Sequence, residues 1–472
     1  MKNIRFVVWF MAFVLLFAVL VGSFVYAVDP LQLYRKASYP PLFTKQQRYQ
    51  NPGLAKNYAY DTMILGSSMT ENFVPSEVGK LLGGNVMKLS MEGSTAKEQR
   101  LIADVAVETG QVKKVLWGID YFSFRDNAVR DEANFPFYLY DDKIWNDYKY
   151  LLNISDVKHA LGALLLPKDQ MPQLRNLDLL NNWDDSAVYG PDQVFAKWQD
   201  ARISEQLTAE YEPSLEIVKQ NFEDNTMSFI EAHPEIEFII YYPPYSILRQ
   251  QMWYSLNPDR FENQLKMKNY MYERFSAYDN VRVYDFQSDS TITYDLDEYK
   301  DLSHHSADIN RRIVKEIAAG THQVTAANVE LNNRLLQEQV QSLVINEDGP
   351  VYSVVVNVNG QEITFNELPP ADEDQVRVPL KDFAMAAGIE FNYDAAEKTA
   401  RLTRGDREVK VAVGADTATV NGTETPLETP TKIYNGRLTG PLLQLIHLLQ
   451  GDVEVDESEQ DAYIVTYNIT LD

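Results

Sequence analysis

The chain has 472 residues, 45% of them hydrophobic and 24% charged, with 68 acidic against 43 basic side chains and a formal net charge of −25. That length accommodates more than one domain with a sizeable core, and the acidic balance argues against holding nucleic acid or an anionic membrane by bulk electrostatics. Cysteine is absent, which excludes disulfides and thiolate metal sites.

Lys2 and Arg5 precede an uncharged apolar run from Phe6 to Val28, long enough to cross a bilayer as one helix. Basic residues on the short side predict a cytoplasmic N-terminus and an extracytoplasmic remainder, so residues 1–28 read as an uncleaved, single-pass signal anchor in the cell membrane. Val25-Tyr26-Ala27 loosely fits a signal-peptidase site, and cleavage there is the alternative. Residues 29–60, polar and rich in Pro and Tyr without a clear period, read as an extracytoplasmic tether draped on the globular domain.

From Asp61 the pattern is of short apolar strands alternating with helices, which predicts a parallel sheet with crossover helices. The first strand, Thr62 to Leu65, runs straight into Gly66-Ser67-Ser68, presenting a serine at the strand's C-terminal edge, where open α/β sheets bind ligands. Ser68 is the candidate nucleophile, and a helix-capping serine is the competing reading. Ser76 is expected to cap a helix PSEVGKLLGG. A strand over 85–90 leads to Met91-Glu92-Gly93, with Ser94 or Thr95 opening the next helix, and a strand over 114–119 leads into Asp120. Further strands are expected over 236–242, running into Pro243-Pro244-Tyr245-Ser246, and over 281–286. Five strands with right-handed crossovers predict a flavodoxin-like doubly wound sheet over residues 61–320.

DLSHHSADINRRIVKEI, from Asp301, offers the other groups that a serine nucleophile needs. His304 is a base and Asp301 an acid to orient it, both in one turn, with a helix starting at Ser306 or Ala307. His305 is an alternative base. Asp156 and His159 share the Asp-x-x-His spacing but begin an amphipathic run in which the histidine reads as an ordinary helix residue. The insertion 121–210 is rich in aromatics and acids, including Phe135, Phe137, Tyr140, Trp145 and Trp183, and is where specificity is expected; packing onto the sheet is the other use of such rings. Tyr121, Arg125 and Tyr245 are candidate substrate contacts, with Lys143 a further cation.

Together, the strand ending in Gly-Ser-Ser, the glycine after the second strand, the Gly-x-Asp turn after the third and the late Asp-x-x-His resemble the SGNH hydrolase superfamily. The spelling GSSMTENF, the anchor followed by VDP and the PPYS turn are most similar to its membrane-anchored branch, which includes the teichoic-acid D-alanylation protein DltD and alginate O-acetylation proteins. The resemblance implies Ser68 as nucleophile, His304 as base and Asp301 as its partner, with an oxyanion hole from the Ser68 and Gly93 backbone amides. At the third block the superfamily's asparagine is replaced by Asp120. An ionised carboxylate cannot donate to an oxyanion, and losing one such donor costs on the order of 3 kcal/mol in barrier.

After a helical connector at 321–343, residues 344–472 read as a smaller duplicated α+β domain. VNVNGQEITF matches ATVNGTETPL, and Pro379, Phe383 and Asp394 match Pro441, Leu445 and Asp456 at a common offset of 62 residues. Each unit carries an Asn-Gly hairpin signal and a Pro-Leu-led helix. The region resembles the copper amine oxidase N-terminal-like domain of extracytoplasmic Gram-positive proteins. No copper or other cofactor is expected, since His447 lies in LLQLIHLLQ, where core packing is its expected role.

The combined expectation is an anchored SGNH-like enzyme that moves an acyl group, acetyl first, onto a cell-envelope or exported polysaccharide through an acyl-serine. By analogy, a multipass membrane acyltransferase is its partner. An esterase of the same fold and a catalytically degenerate glycan-binding scaffold are the alternatives.

Overall fold

The computed structural model describes residues 2–346, 351–365, 368, 369, 371, 375–457 and 463–471. Met1 and Asp472, the first and last residues of the stretches read from the sequence as 1–28 and 344–472, lie outside the described residues. The apolar run forms one helix, α1 (Lys2–Val28), whose most apolar 18 residues have a mean hydropathy of 2.7 and are not buried, while Val25 and Val28 at its far end are. By length and composition it can cross a membrane.

The stretch read as an irregular tether contains a helix, α2 (Gln47–Asn57), with Pro52 inside it. Proline and glycine in QNPGL hide the helical period from a sequence reading. Packing overrides propensity here, because Gln50, Asn51, Leu54 and Ala55 are buried against the sheet domain.

Five strands come next: β1 (Thr62–Leu65), β2 (Val86–Lys88), β3 (Lys114–Gly118), β4 (Glu237–Tyr242) and β5 (Val281–Asp285). Every neighbouring pair is parallel and the order is β2-β1-β3-β4-β5, so the winding direction reverses between β1 and β3. That reversal opens a crevice at the C-terminal ends of the strands. Buried on both faces, β1 and β4 read as continuous apolar runs, the pattern that parallel sheets impose.

Between β1 and β2 lies α3 (Pro75–Leu82). Its N-cap is Val74 with Pro75 at the first helical position, so Ser76 sits inside the first turn and does not cap. Proline suits that place because its missing N–H would be unpaired anyway. Between β2 and β3, α4 (Ala96–Val107) opens on Thr95, whose hydroxyl accepts from Glu98 N while Glu98 accepts from Thr95 N. This reciprocal capping box ties the helix start to the loop carrying Gly93.

A strand-rich region succeeds the helix Val329–Gln341. The 62-residue duplication is visible in it: helix Leu380–Ala386 is repeated as Leu442–Leu448. The hairpin turning at Asn359-Gly360 is repeated at Asn421-Gly422, with all four residues at positive φ. The strands leading into the two helices pair with each other, Pro379 opposite Thr439 and Arg377 opposite Pro441. His447 is exposed on its helix while Leu445, Ile446 and Leu448 face the core, which corrects the expected core role. A seven-residue helix with apolar residues on both sides of one polar position leaves that position outward.

Candidate active site

β1 delivers the chain to Gly66 at φ +144, where a Cβ would lie 2.6 Å from Thr70 Cγ2 and 2.8 Å from the Gly118 carbonyl. Only glycine fits that crossing, and it aims the next turn into the crevice. The capping role belongs to Ser67, which accepts from Met69 N at the start of a short helical turn, Ser68–Thr70. Ser68 is thereby left free to present its hydroxyl. The turn is braced from behind: Thr70 Oγ1 donates to the Ser67 carbonyl at 2.8 Å, and Asn310 Nδ2 reaches the Met69 carbonyl at 3.4 Å.

His304 Nε2 stands 2.8 Å from Ser68 Oγ, across 236 residues of sequence. Its Nδ1 is 2.8 and 3.0 Å from the two Asp301 oxygens. A proton on Nδ1 satisfies the carboxylate and leaves the Nε2 lone pair for the serine hydroxyl. Asp301 Oδ1 also accepts from the backbone N–H of Ser303 and His304, at 2.8 and 2.9 Å. Burial would raise the Asp301 carboxyl, but the His304 contact and those amides hold it well below the usual carboxylate range. Asp301 is therefore a fixed anion at any ordinary pH.

The turn is clamped by its neighbours. Ser246, in the PPYS turn, donates from both N and Oγ to the Leu302 carbonyl, at 3.2 and 2.9 Å. Arg249 Nε meets Ser303 Oγ at 3.2 Å, and Ser306 caps the helix Ala307–Ala319 through Ile309 N. From the insertion, Trp183 sets its ring edge-on to His304 at 5.7 Å, with Lys300 Nζ 3.4 Å from the Trp183 ring centroid on a face of the indole.

His305 points the other way. It is buried, with Nδ1 at 3.2 Å from the Ser306 carbonyl and Tyr299 packed edge-on. Burial pushes its imidazole down to about 4. The folded value lies below the unfolded one, so between about pH 6.5 and 4 the unfolded chain binds the extra proton. Stability present above that window is lost as pH falls through it, by at most about 3 kcal/mol. Denaturant titrations at pH 7 and pH 4 are expected to show a steeper loss for the wild type than for His305→Gln. Equal losses in the two would overturn this assignment.

Asp120 is brought beside the site but is turned away from the reacting serine. Its Oδ2 accepts from Ser67 Oγ at 2.7 Å and its Oδ1 from Ser123 N and Oγ, both at 3.1 Å. Burial pushes its carboxyl above the ordinary range, and it caps the turn Tyr121–Phe124. Gly93, at φ +56, lines the same cleft as Ser68 and His304, and a Cβ on it would meet Arg130 Nη1 at 3.0 Å. The cleft has a volume of about 750 Å³ and is further lined by Arg48, Tyr49, Glu92, Asp131, Asn134, Phe135 and Pro136.

Arg48 and Arg130, the cleft's two cations, were not singled out from the sequence. Both hang on Glu98, which is wholly buried. Glu98 takes Arg48 in a two-pronged pair at 2.9 Å and also accepts from Arg130 N at 3.0 Å. The readable signal was Thr95-x-x-Glu98, which announces a cap but not the two arginines it gathers.

The expected substrate contacts lie elsewhere. Tyr121 is buried and donates to Glu212 at 2.9 Å; Arg125 pairs with the same carboxylate at 3.0 Å. Tyr245 is buried against Trp253. Lys143 is exposed near Asp141. None of the four lines the cleft. His159, in the helix Ile154–Leu165, lies 2.6 Å from the Leu42 carbonyl and is far in role from any serine.

The fold and site define an α/β protein with a serine, histidine and aspartate in hydrogen-bonded series, joined to a strand-rich C-terminal region. Residues 357–464 match the copper amine oxidase N-terminal domain family. A protease inhibitor of Brevibacillus choshinensis is 29% identical over 108 residues, 23% of this chain. The chain spans 33% of the length of that curated relative. A Streptococcus pneumonia structure assigned provisionally as a platelet activating factor aligns at a TM-score of 0.31 and 12% identity, over 58% of this chain and 90% of its own.

Proposed function

We propose that this is an extracytoplasmic SGNH-type acyl-transfer enzyme, held in the cell membrane by α1 with its N-terminus cytoplasmic, and that it works through an acyl-serine on Ser68. The observation that carries the reading is the unbroken series Ser68 Oγ, His304 Nε2, His304 Nδ1, Asp301 carboxylate, with 2.8 Å at each junction. Such a series activates a hydroxyl that is otherwise a weak nucleophile.

Ser68 Oγ bonds to the acyl carbon as its proton passes to His304 Nε2, and the carbonyl electron pair moves onto oxygen. Collapse re-forms the carbonyl and expels the donor's leaving group, which takes the proton from His304. An acceptor hydroxyl then gives its proton to His304 as its oxygen bonds to the acyl carbon, and collapse breaks the bond to Ser68 Oγ, which takes that proton back from His304. The backbone amides of Ser68 and Gly93 face the developing oxyanion, and Asp120 supports the turn rather than donating. The acceptor we assign is a hydroxyl of a cell-envelope or exported polysaccharide, with the acyl group, acetyl first, supplied across the membrane by a multipass partner.

Hydrolysis is the second reading. His304 and Asp301 side chains each keep 27% exposure, which admits water to the acyl-serine. The test is intact mass of the full chain in detergent after p-nitrophenyl acetate, beside Ser68→Ala. A one-to-one acetyl adduct that needs Ser68 is expected, and its discharge by added glycan faster than by water selects transfer over hydrolysis. No adduct on the wild type, with p-nitrophenolate release no faster than from Ser68→Ala, would sink both readings.

A further inference from the structure

One face of the insertion stands largely exposed among the described residues. Ile144, Trp145, Leu152, Ile154, Leu161 and Leu165 all project outward, with exposures of 83% for Ile144, 72% for Trp145 and 75% for Leu165. Large apolar side chains this closely spaced are rare on a free surface and mark a contact. The helix Ile154–Leu165 is two-sided: Ala160 and Ala163 are buried on the inner face, while Ile154, Leu161 and Leu165 recur on the outer one at helical spacing.

The position of this face identifies what covers it. The segments Tyr148–Leu151 and Ile154–Leu165 pack directly on α1, around a shared cluster of Val25, Tyr150, Phe24, Leu151 and Val157. Leu152 Cδ2 lies 3.6 Å from the Cβ position of Gly22. Gly22 is six residues before Val28, so this contact lies about 9 Å down the helix axis from its outer end. Helices that lie in a bilayer interface insert by roughly 5–10 Å. The level of the patch and the outer end of the spanning helix therefore coincide.

The composition agrees. Trp145, Tyr148 and Tyr26 are exposed there, as in the aromatic belts at membrane surfaces. Lys158 stands among the outward leucines, where a long stem can reach headgroups while its methylenes stay apolar. Arg35 donates to the Tyr26 and Ala27 carbonyls at the end of α1. The chain's overall acidity does not oppose this contact, which is apolar at its centre.

We propose that Ile144–Leu165 is a second membrane contact, lying in the outer lipid interface beside α1. The occupant is lipid rather than protein because the segment packs on the outer part of α1, whose preceding turns from Phe6 to Leu20 are apolar and almost wholly exposed. One consequence concerns the cleft. Its wall ends at Pro136, eight residues before Ile144, so the cleft stands no more than about 28 Å of chain from the bilayer.

The cysteine-free chain makes the test direct. Spin labels are placed one at a time as I154C, L161C and L165C in the full chain, reconstituted in phosphatidylcholine vesicles without other protein. L15C in α1 serves as the lipid reference and M385C, on an exposed residue of the C-terminal region, as the water reference. At all three positions the label is expected to lose access to a water-soluble nickel chelate and gain access to oxygen, as at L15C. Labels as open to the chelate as M385C would overturn the proposal, including the case where a partner protein covers this face in the cell. L15C in lipid with L165C in water would refute the second contact and leave the anchor standing.

Discussion

Changing Asp301 to Asn is expected to lower turnover about 10⁴-fold while Ser68 remains in place. The carboxylate accepts from His304 Nδ1 with both oxygens and from two backbone amides with one of them. An asparagine amide offers N–H where these donors need an acceptor, so the imidazole is driven to the other tautomer, with the proton on Nε2 facing Ser68. The hydroxyl then has no base. The measurement is the pre-steady-state rate of p-nitrophenolate release by the full chain; an unchanged burst in Asp301→Asn would remove Asp301 from the role of fixing the His304 tautomer. Because Asp301 is held far below the usual carboxylate range, its own ionisation is not expected to shape a pH–rate profile at or above pH 4.

The second large effect is on stability. Arg260 is buried, with Nε and Nη2 at 2.8 and 2.7 Å from Glu212 and Nη1 on Glu205. Asn257, Arg125 and Tyr121 complete the cluster around the two carboxylates. Arg260→Met keeps much of the volume but strips the main counter-charge from two buried acids, which costs roughly 3–5 kcal/mol. Chemical denaturation of the full chain in detergent would register that loss, and adding Glu205→Gln is expected to recover part of it. A loss below about 1 kcal/mol would mean that Arg125 alone neutralises the pair.

The same cluster explains what a sequence reading could and could not reach. The five strands were legible because each has a short apolar or β-branched core closed by turn residues, as in Met63-Ile64-Leu65 before Gly66. Ser68, His304 and Asp301 were legible because two of the three share one turn and the third comes directly after a strand end. Tyr121 and Arg125 do not reach the cleft because their partner, Glu212, lies 91 and 87 residues away, beyond the far end of the insertion, where no local pattern links them. Helix α2 was hidden by Pro52, and the Ser76 cap was displaced by Pro75 one position earlier. Local grammar carried the sheet and the triad, whereas pairing between remote polar groups decided the remainder.

Glu98 begins as the cap of α4 and ends as the common tether of Arg48 and of the strand of loop bearing Arg130. In hereditary terms, one codon sets the placement of both cationic walls of the cleft. Loss of that carboxylate cannot be suppressed by a single second-site change at either arginine, since each restores only its own side. Lineages that reshape this cleft are expected to exchange residues 48, 98 and 130 as one linked block.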